Sequence, residues 1–343
     1  NPRNFESTEV LVKYLNDYAN EMELPVKNDV TVTSATRNAD GTTIDITTDQ
    51  GDYQTQNLIV ASGIQNVPTT PAAADKVPAN VTSMTTADYK NPAQLPEGAV
   101  MVVGSAQSGA QITEELLEAG RTVYLSTSKV GRFRRHIRGK YVLEWVIGTG
   151  MMKQTPADLE NPAEQYATQP LASGVGGGRT ISLQSIAAKG ANLIGRVEDF
   201  ENTTAIIKDD LRENIDFADG FSAHVIEMLN PAIDKMAPGT PPLEDEPADD
   251  PAPTDLGANT PTRLDLDEAG ITSIIWTTGF TGDYSWLNIE GHSMEHGRPV
   301  QTNGASPAKG VYYLGSPWLR TRASGIIYGA DTDAQAITQQ INA

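Results

Sequence analysis

Residues 104–109, Gly104-Ser105-Ala106-Gln107-Ser108-Gly109, follow the apolar run Ala99 to Val103 and precede an amphipathic stretch. A strand, a glycine-rich turn and a helix in that order can seat the pyrophosphate of a dinucleotide. The first glycine makes the tight turn, the middle small residue lets phosphate approach backbone N–H groups, and the last lets the helix pack on the sheet. The helix N-terminus adds unpaired N–H groups and a partial positive charge. Ala106 at the middle position adds one methyl and weakens the fingerprint without abolishing it. Gln107 and Ser108 are expected to meet phosphate through backbone rather than side chain. A tight turn that binds nothing is the plain alternative.

The end of the next strand discriminates between coenzymes. An NAD site carries Asp or Glu about 20 residues past the first glycine. Here the chain reads Tyr124-Leu-Ser126-Thr127-Ser128-Lys129, with Arg132, Arg134, Arg135, Arg138 and Lys140 following: six basic residues in 129–140 and no acid. Hydroxyls and guanidinium groups suit a 2′-phosphate, so NADPH is expected, with Ser126, Thr127, Arg132 and Arg134 as its phosphate ligands. The competing reading is a basic surface turn that pairs with the protein's own acids.

The elements that must position these residues are legible in outline. Residues 7–21 show an apolar face of Val10, Leu11, Tyr14, Leu15 and Tyr18 at helical spacing, stopped by Pro25. Segments 30–34 and 43–47 alternate as half-buried strands, with turn signals at Asp40-Gly41 and Gln50-Gly51. Leu58-Ile-Val-Ala61 is continuous enough to predict a strand buried on both faces. Residues 99–103, 107–119 and 122–126 form a strand–helix–strand unit. Further on come a helix near 139–149, a Gly-rich turn at 174–178, short strands over 191–207, and a helix over 214–236. Thr272 to Trp276 and Val311 to Leu314 read as strands, and a last helix runs from about Asp331 to Ile341. Residues 237–262, rich in proline and acid, are most simply a solvated loop or linker.

Composition narrows the classes. The 343 residues carry 25 basic against 44 acidic side chains, a net charge of −19. Such a surface repels nucleic acid and anionic membranes. No run approaches a membrane span. With no cysteine and four scattered histidines, thiolate chemistry is excluded and no metal site is expected. Asn1 is not an initiator methionine and no signal peptide is present, so the chain is read as one whose beginning is missing and whose location is the cytoplasm.

At this point "VVGSAQSGAQITEELLEAGRTVYLS" and "GRFRRHIRGKYVLEW" resemble the second dinucleotide-binding unit of flavin-containing monooxygenase-like proteins, in a bacterial branch of flavoproteins. "LIVASGIQNVP" and "IIWTTGFTGDYSWL" resemble that family's two domain-crossing strand ends, and "GVYYLGSPWLRTRASGIIYGADTDA" its C-terminal FAD-binding segment. The resemblance implies an α/β fold with two dinucleotide-binding (Rossmann-like) domains. An NADPH domain (96–272) would be inserted in an FAD domain (1–95 and 273–343) that lacks its first βαβ unit. It implies an NADPH-dependent FAD oxidoreductase that oxygenates a small organic substrate with molecular oxygen. Ser62, Gly63, Thr278, Gly279, Arg320, Arg322 and Asp333 would lie at its cofactors; Arg320 and Arg322 could equally brace the C-terminal segment through ion pairs, and Asp333 could cap the last helix. No residue is assigned as catalytic acid or base, and homo-oligomerisation is left open. The family's Phe-x-Gly-x-x-x-His-x-x-x-Tyr signature is matched near 79–89 only by Tyr89. A non-catalytic NADPH-binding module, or a flavin-less remnant, is the alternative.

Overall fold

The computed structural model describes residues 7–172 and 178–343. In chain order the helices are α1 (Thr8–Glu21), α2 (Gln107–Glu118), α3 (Val142–Gly148), α4 (Leu183–Ala188), α5 (Leu211–Met236) and α6 (Ile327–Ile341). The principal strands begin with β1 (Val32–Arg37), β2 (Ile44–Thr48), β3 (Gly51–Thr55), β4 (Leu58–Val60), β5 (Thr82–Thr85), β6 (Ala99–Val103) and β7 (Val123–Ser126). They continue with β8 (Asn192–Ile194), β9 (Val197–Glu201), β10 (Thr204–Ile207), β11 (Arg263–Asp265), β12 (Ile271–Trp276), β13 (Leu287–Asn288) and β14 (Val311–Tyr313). Residues 174–177 of the expected glycine-rich turn lie outside the described residues.

Two compact units emerge. Of the described residues, the first holds Pro68–Thr149 and Ala167–Gly279; the second holds residues 7–67, Gly150–Tyr166 and Phe280–Ala343. These limits differ from divisions at 95/96 and 272/273. The reason is pairing: β12 lies between β6 and β5, so Ser273 to Trp276 complete the first unit's sheet rather than opening the second.

That sheet is five-stranded and parallel, in the order β8-β7-β6-β12-β5. Every residue of β6 is buried, as a central strand covered on both faces requires. Helix α2 packs on it through Gly109, Ala110, Ile112 and Leu116. Full burial of such aliphatic side chains contributes roughly 1.5–3 kcal/mol each. From β6 the chain proceeds outward through β7 to β8, while β12 flanks β6 on the other side. The carboxyl end of β6 is therefore a switch point, where ligands of open α/β sheets bind. An antiparallel sheet, β9-β10-β11, completes the unit.

The second unit contains the sheet β13-β1-β2-β3 and the parallel pair β14-β4. Ala35, Ile44, Val60, Val311, Tyr313 and Ile337 form its core. The expectation of a doubly buried strand at 58–61 is corrected. Val60 is buried, but Ile59 is 45% exposed: among the described residues β4 pairs with β14 alone, and the face that carries Ile59 is open. Helix α1 forms as predicted, yet its apolar residues stay exposed and none is buried. Helix α6 starts at Ile327, earlier than Asp331, so Asp333 lies inside the second turn and is no cap.

Candidate functional site: the glycine turn and the arginine cluster

Gly104 leaves β6 with φ of +110°, a conformation that an L side chain resists. A Cβ on it would stand 2.8 Å from the Thr277 backbone oxygen, and one on Gly109 would stand 1.9 Å from the Gly104 oxygen. Both glycines are thus demanded by close approach. Ala106 is the N-cap of α2 in extended conformation and makes no side-chain cap hydrogen bond. The first-turn N–H groups have no intrahelical acceptor by helix geometry, and Ala106, Gln107 and Ser108 are partly exposed. Ser105 is buried instead: its hydroxyl accepts from the Ser128 N–H at 3.0 Å and so ties the turn to the end of β7. The Gln107 side-chain oxygen accepts from the Ala172 N–H at 3.0 Å.

Thr277, absent from the residues expected at the site, belongs to it structurally. From the end of β12 its hydroxyl lies 2.9 Å from the backbone oxygens of both Val103 and Gly104. The register Trp276↔Val103 brings the two strand ends side by side. Its sequence signal was only a threonine one residue past an apolar run.

The expected phosphate ligands beyond β7 differ from prediction. The Ser126 hydroxyl donates to the Gly195 oxygen at 3.1 Å and accepts from the Val197 N–H. Thr127 donates to the Ile194 oxygen and accepts from Asn214. Both hydroxyls face inward and are buried. Arg132 is only 1% exposed and is held by Asp219 at 2.9 Å and by Asp249. Arg134, 6% exposed, meets Asp249 at 3.3 Å, Glu246 at 3.5 Å and the Glu244 backbone oxygen. Arg138 pairs with Asp234 at 2.7 Å. The picture of guanidinium groups facing an open coenzyme site is therefore corrected: they pair with the protein's own acids, because a buried cation must be matched by nearby counter-charge.

Those acids also correct the reading of 237–262. Glu244, Glu246 and Asp249 belong to the acidic segment, which is a largely exposed loop as expected but is fastened at these three residues rather than free. Glu244 also accepts from the N–H groups of Arg138 and Gly139, Glu246 from that of Thr180, and Ala252 enters the core. Burial opposes ionisation of Glu244, but backbone N–H groups and the Arg134 charge outweigh it and hold its carboxyl below the usual range. On α2, burial likewise opposes ionisation of Glu114. Arg179 and Lys189, each 2.6 Å away, prevail and hold it low. Lys129, at the start of the basic run, has a side chain 52% exposed and paired with Glu213 at 2.5 Å.

In the first unit, Thr278 and Gly279 follow β12 and are exposed, Gly279 with φ of +96°. In the second, Ser62 and Gly63 follow β4, Gly63 with φ of +70°, and the Gly63 oxygen accepts from the Tyr284 hydroxyl at 2.9 Å. Arg320 lies 3.6 Å from the buried Asp333 and donates to the Thr332 oxygen. Arg322 donates to Gln154 at 3.1 Å and stacks on Trp318. These three brace the C-terminal segment. The Tyr89 hydroxyl donates to Glu115 at 2.9 Å. Among the described residues no group of three or more acidic or histidine side chains could hold a metal, and no helix is long and apolar enough to cross a membrane.

Residues 2–155 match the pyridine nucleotide-disulphide oxidoreductase family. The chain is 28% identical to an uncharacterized CzcO-like oxidoreductase of Geobacillus kaustophilus (strain HTA426), over 99% of this chain and 79% of that protein. Its fold is similar to that of a flavin-containing monooxygenase from Stenotrophomonas maltophilia, with a TM-score of 0.54, 15% identity, and coverage of 96% of this chain and 76% of that one. It is also similar to OTEMO solved with FAD and NADP, with a TM-score of 0.50, 15% identity, and coverage of 98% and 70%. These likenesses show the two-domain α/β fold of dinucleotide-binding flavoproteins and a sequence similar to that of an oxidoreductase.

Proposed function

We propose that the chain binds the pyrophosphate of NADPH at residues 104–109 and serves as the coenzyme-binding part of an FAD-dependent, monooxygenase-like oxidoreductase. The observation that carries this reading is the cradle itself. Two glycines admit no Cβ, an uncapped helix N-terminus lies at the switch point of a parallel sheet, and Thr277 braces the turn from the neighbouring strand. Backbone N–H groups of α2 would receive the phosphate oxygens, and the helix dipole would favour their charge.

Preference for NADPH over NADH is assigned to Lys129 rather than to Arg132 and Arg134. Lys129 adjoins Ser128, which is tied to Ser105 of the turn, and its exposed ion pair with Glu213 is worth little enough to exchange for a phosphate. The described residues of the second unit offer a flavin no comparable strand–turn–helix cradle, so no reaction step is derived through it; relatedness supports the flavin part.

Calorimetric titration with NADPH and NADH tests the binding, and oxidation of NADPH with added FAD and oxygen tests the chemistry. Saturable binding without turnover would favour a non-catalytic coenzyme-binding module, a reading supported by the internal engagement of Arg320, Arg322 and Asp333. Absence of binding to either nucleotide would overturn both.

A further inference from the structure

The second unit contains a cavity of about 170 Å³ lined by Tyr166, Arg298, Val300, Trp318 and Leu319 among others. Its walls mix polar groups with an apolar side formed by Val300, Trp318 and Leu319, and its cation is unusual in its surroundings. The Arg298 guanidinium donates to the backbone oxygens of Gln165 at 2.8 Å and Pro317 at 3.3 Å, and it stacks over the Tyr166 ring with 4.9 Å to the centroid. Among the described residues no carboxylate lies within ion-pair distance of it, in contrast to Arg132 and Arg134. Two carbonyls and a ring fix the plane of the group without neutralising its charge. Arginine carries five N–H donors in a rigid fork, and these two bonds leave donors over. Burial presses its pKa below the ordinary arginine value, which marks a cation short of compensation.

The other charged residue at the cavity, Glu295, is the antiparallel partner of Arg298, but its side chain is 71% exposed and lies within ion-pair distance of His296, at 3.7 Å, not of Arg298. The hydrogen-bonding capacity of Gln301 is engaged by the Leu319 oxygen and the Gly304 N–H. The Tyr313 hydroxyl is engaged with His292 at 2.8 Å. Arg298 is therefore the group at this cavity that a ligand can answer. The volume falls below the ~300 Å³ of drug-sized pockets and equals about six water volumes at ~30 Å³ each.

We propose that this cavity binds a compact monocarboxylate with an apolar body, its carboxylate on Arg298 and its hydrocarbon part between Val300, Trp318 and Leu319. All of its lining residues lie in the second unit, so the site stands apart from the coenzyme reading above and does not depend on it.

The test is calorimetric titration of the full chain with benzoate, with neutral benzamide of the same shape, and with benzoate on Arg298→Gln. Saturable benzoate binding is expected, with benzamide at least about tenfold weaker, as loss of a charge-assisted contact implies. Arg298→Gln is expected to reduce benzoate affinity to that of benzamide, and Arg298→Lys to restore only part of it. Equal affinity for the acid and the amide on the unaltered protein would overturn the proposal whether or not the variants fold. So would the absence of saturable benzoate binding, or unchanged binding by folded Arg298→Gln.

Discussion

Replacing Ala106 by aspartate pulls folding and coenzyme binding in opposite directions. Ala106 is the N-cap of α2, with φ −74° and ψ −170°, and offers its helix no side-chain acceptor. An N-cap aspartate accepts from the first-turn N–H groups and stabilises by about 1 kcal/mol relative to alanine. For units of this size that corresponds to roughly 2 °C in Tm. The same carboxylate occupies donors meant for pyrophosphate and sets its charge against two phosphate charges. At about 4 Å each such pair costs about 1 kcal/mol in water and about 4 kcal/mol at an effective dielectric near 20. Even at the lower limit the loss is about 2 kcal/mol, or roughly thirtyfold in Kd. Thermal unfolding and calorimetry on Ala106→Asp measure both halves, with Ala106→Gly as the variant that restores a full glycine fingerprint and should bind at least as tightly as the parent. A raised Tm with unchanged affinity for NADPH would refute the assignment of the pyrophosphate to this turn. A lowered Tm would refute the cap geometry on which the calculation stands.

Lys129→Glu should weaken NADPH binding about tenfold and leave NADH nearly unchanged, read by parallel titrations; equal losses would reject Lys129 as the discriminating cation. Arg132→Met leaves Asp219 without its counter-ion and Asp249 with Arg134 alone, and should cost about 3–5 kcal/mol in urea unfolding, where a loss below about 1 kcal/mol would contradict the buried pairing. Thr277→Val deletes the hydroxyl that spans Val103 and Gly104. It should cost about 1–2 kcal/mol and loosen coenzyme binding, whereas unaltered affinity would show that the turn holds without its brace. The carboxyl of Glu114 is depressed in the folded state, so its contribution is complete above the ordinary glutamate pKa of 4.5 and is lost as pH falls through the lower folded value. Glu114→Gln should therefore be less stable than the parent at neutral pH, with the gap narrowing in acid; a constant gap from pH 7 to pH 3 would refute this.

What the sequence disclosed follows the range of the forces involved. The strand, turn and helix at 99–118 were legible because each feature is local: apolar run, glycines at fixed spacing, amphipathic period. Helix α1 was placed correctly for the same reason, but periodicity says only that a face is apolar, not that anything covers it. At 58–61 four apolar residues in a row implied two covered faces, whereas the burial of Ile59 depended on neighbours that β4 does not have. The basic run was misjudged because its partners are remote. Asp219 and Asp249 are 87 and 117 residues beyond Arg132. Nothing in the spacing of 129–140 points to them. Thr277 was missed in the same way, since its partners lie across a strand pairing of 173 and 174 residues.

The fastening of Glu244, Glu246 and Asp249 over the arginines has a consequence for how the molecule meets its surroundings. Four arginines within seven residues would ordinarily make a sticky strip for RNA, heparin-like polymers and free phosphates. For Arg132 and Arg134 the chain carries its own tethered counterions, Asp249 and Glu246, in the acidic segment, so this pair presents such polymers with neutralised ground.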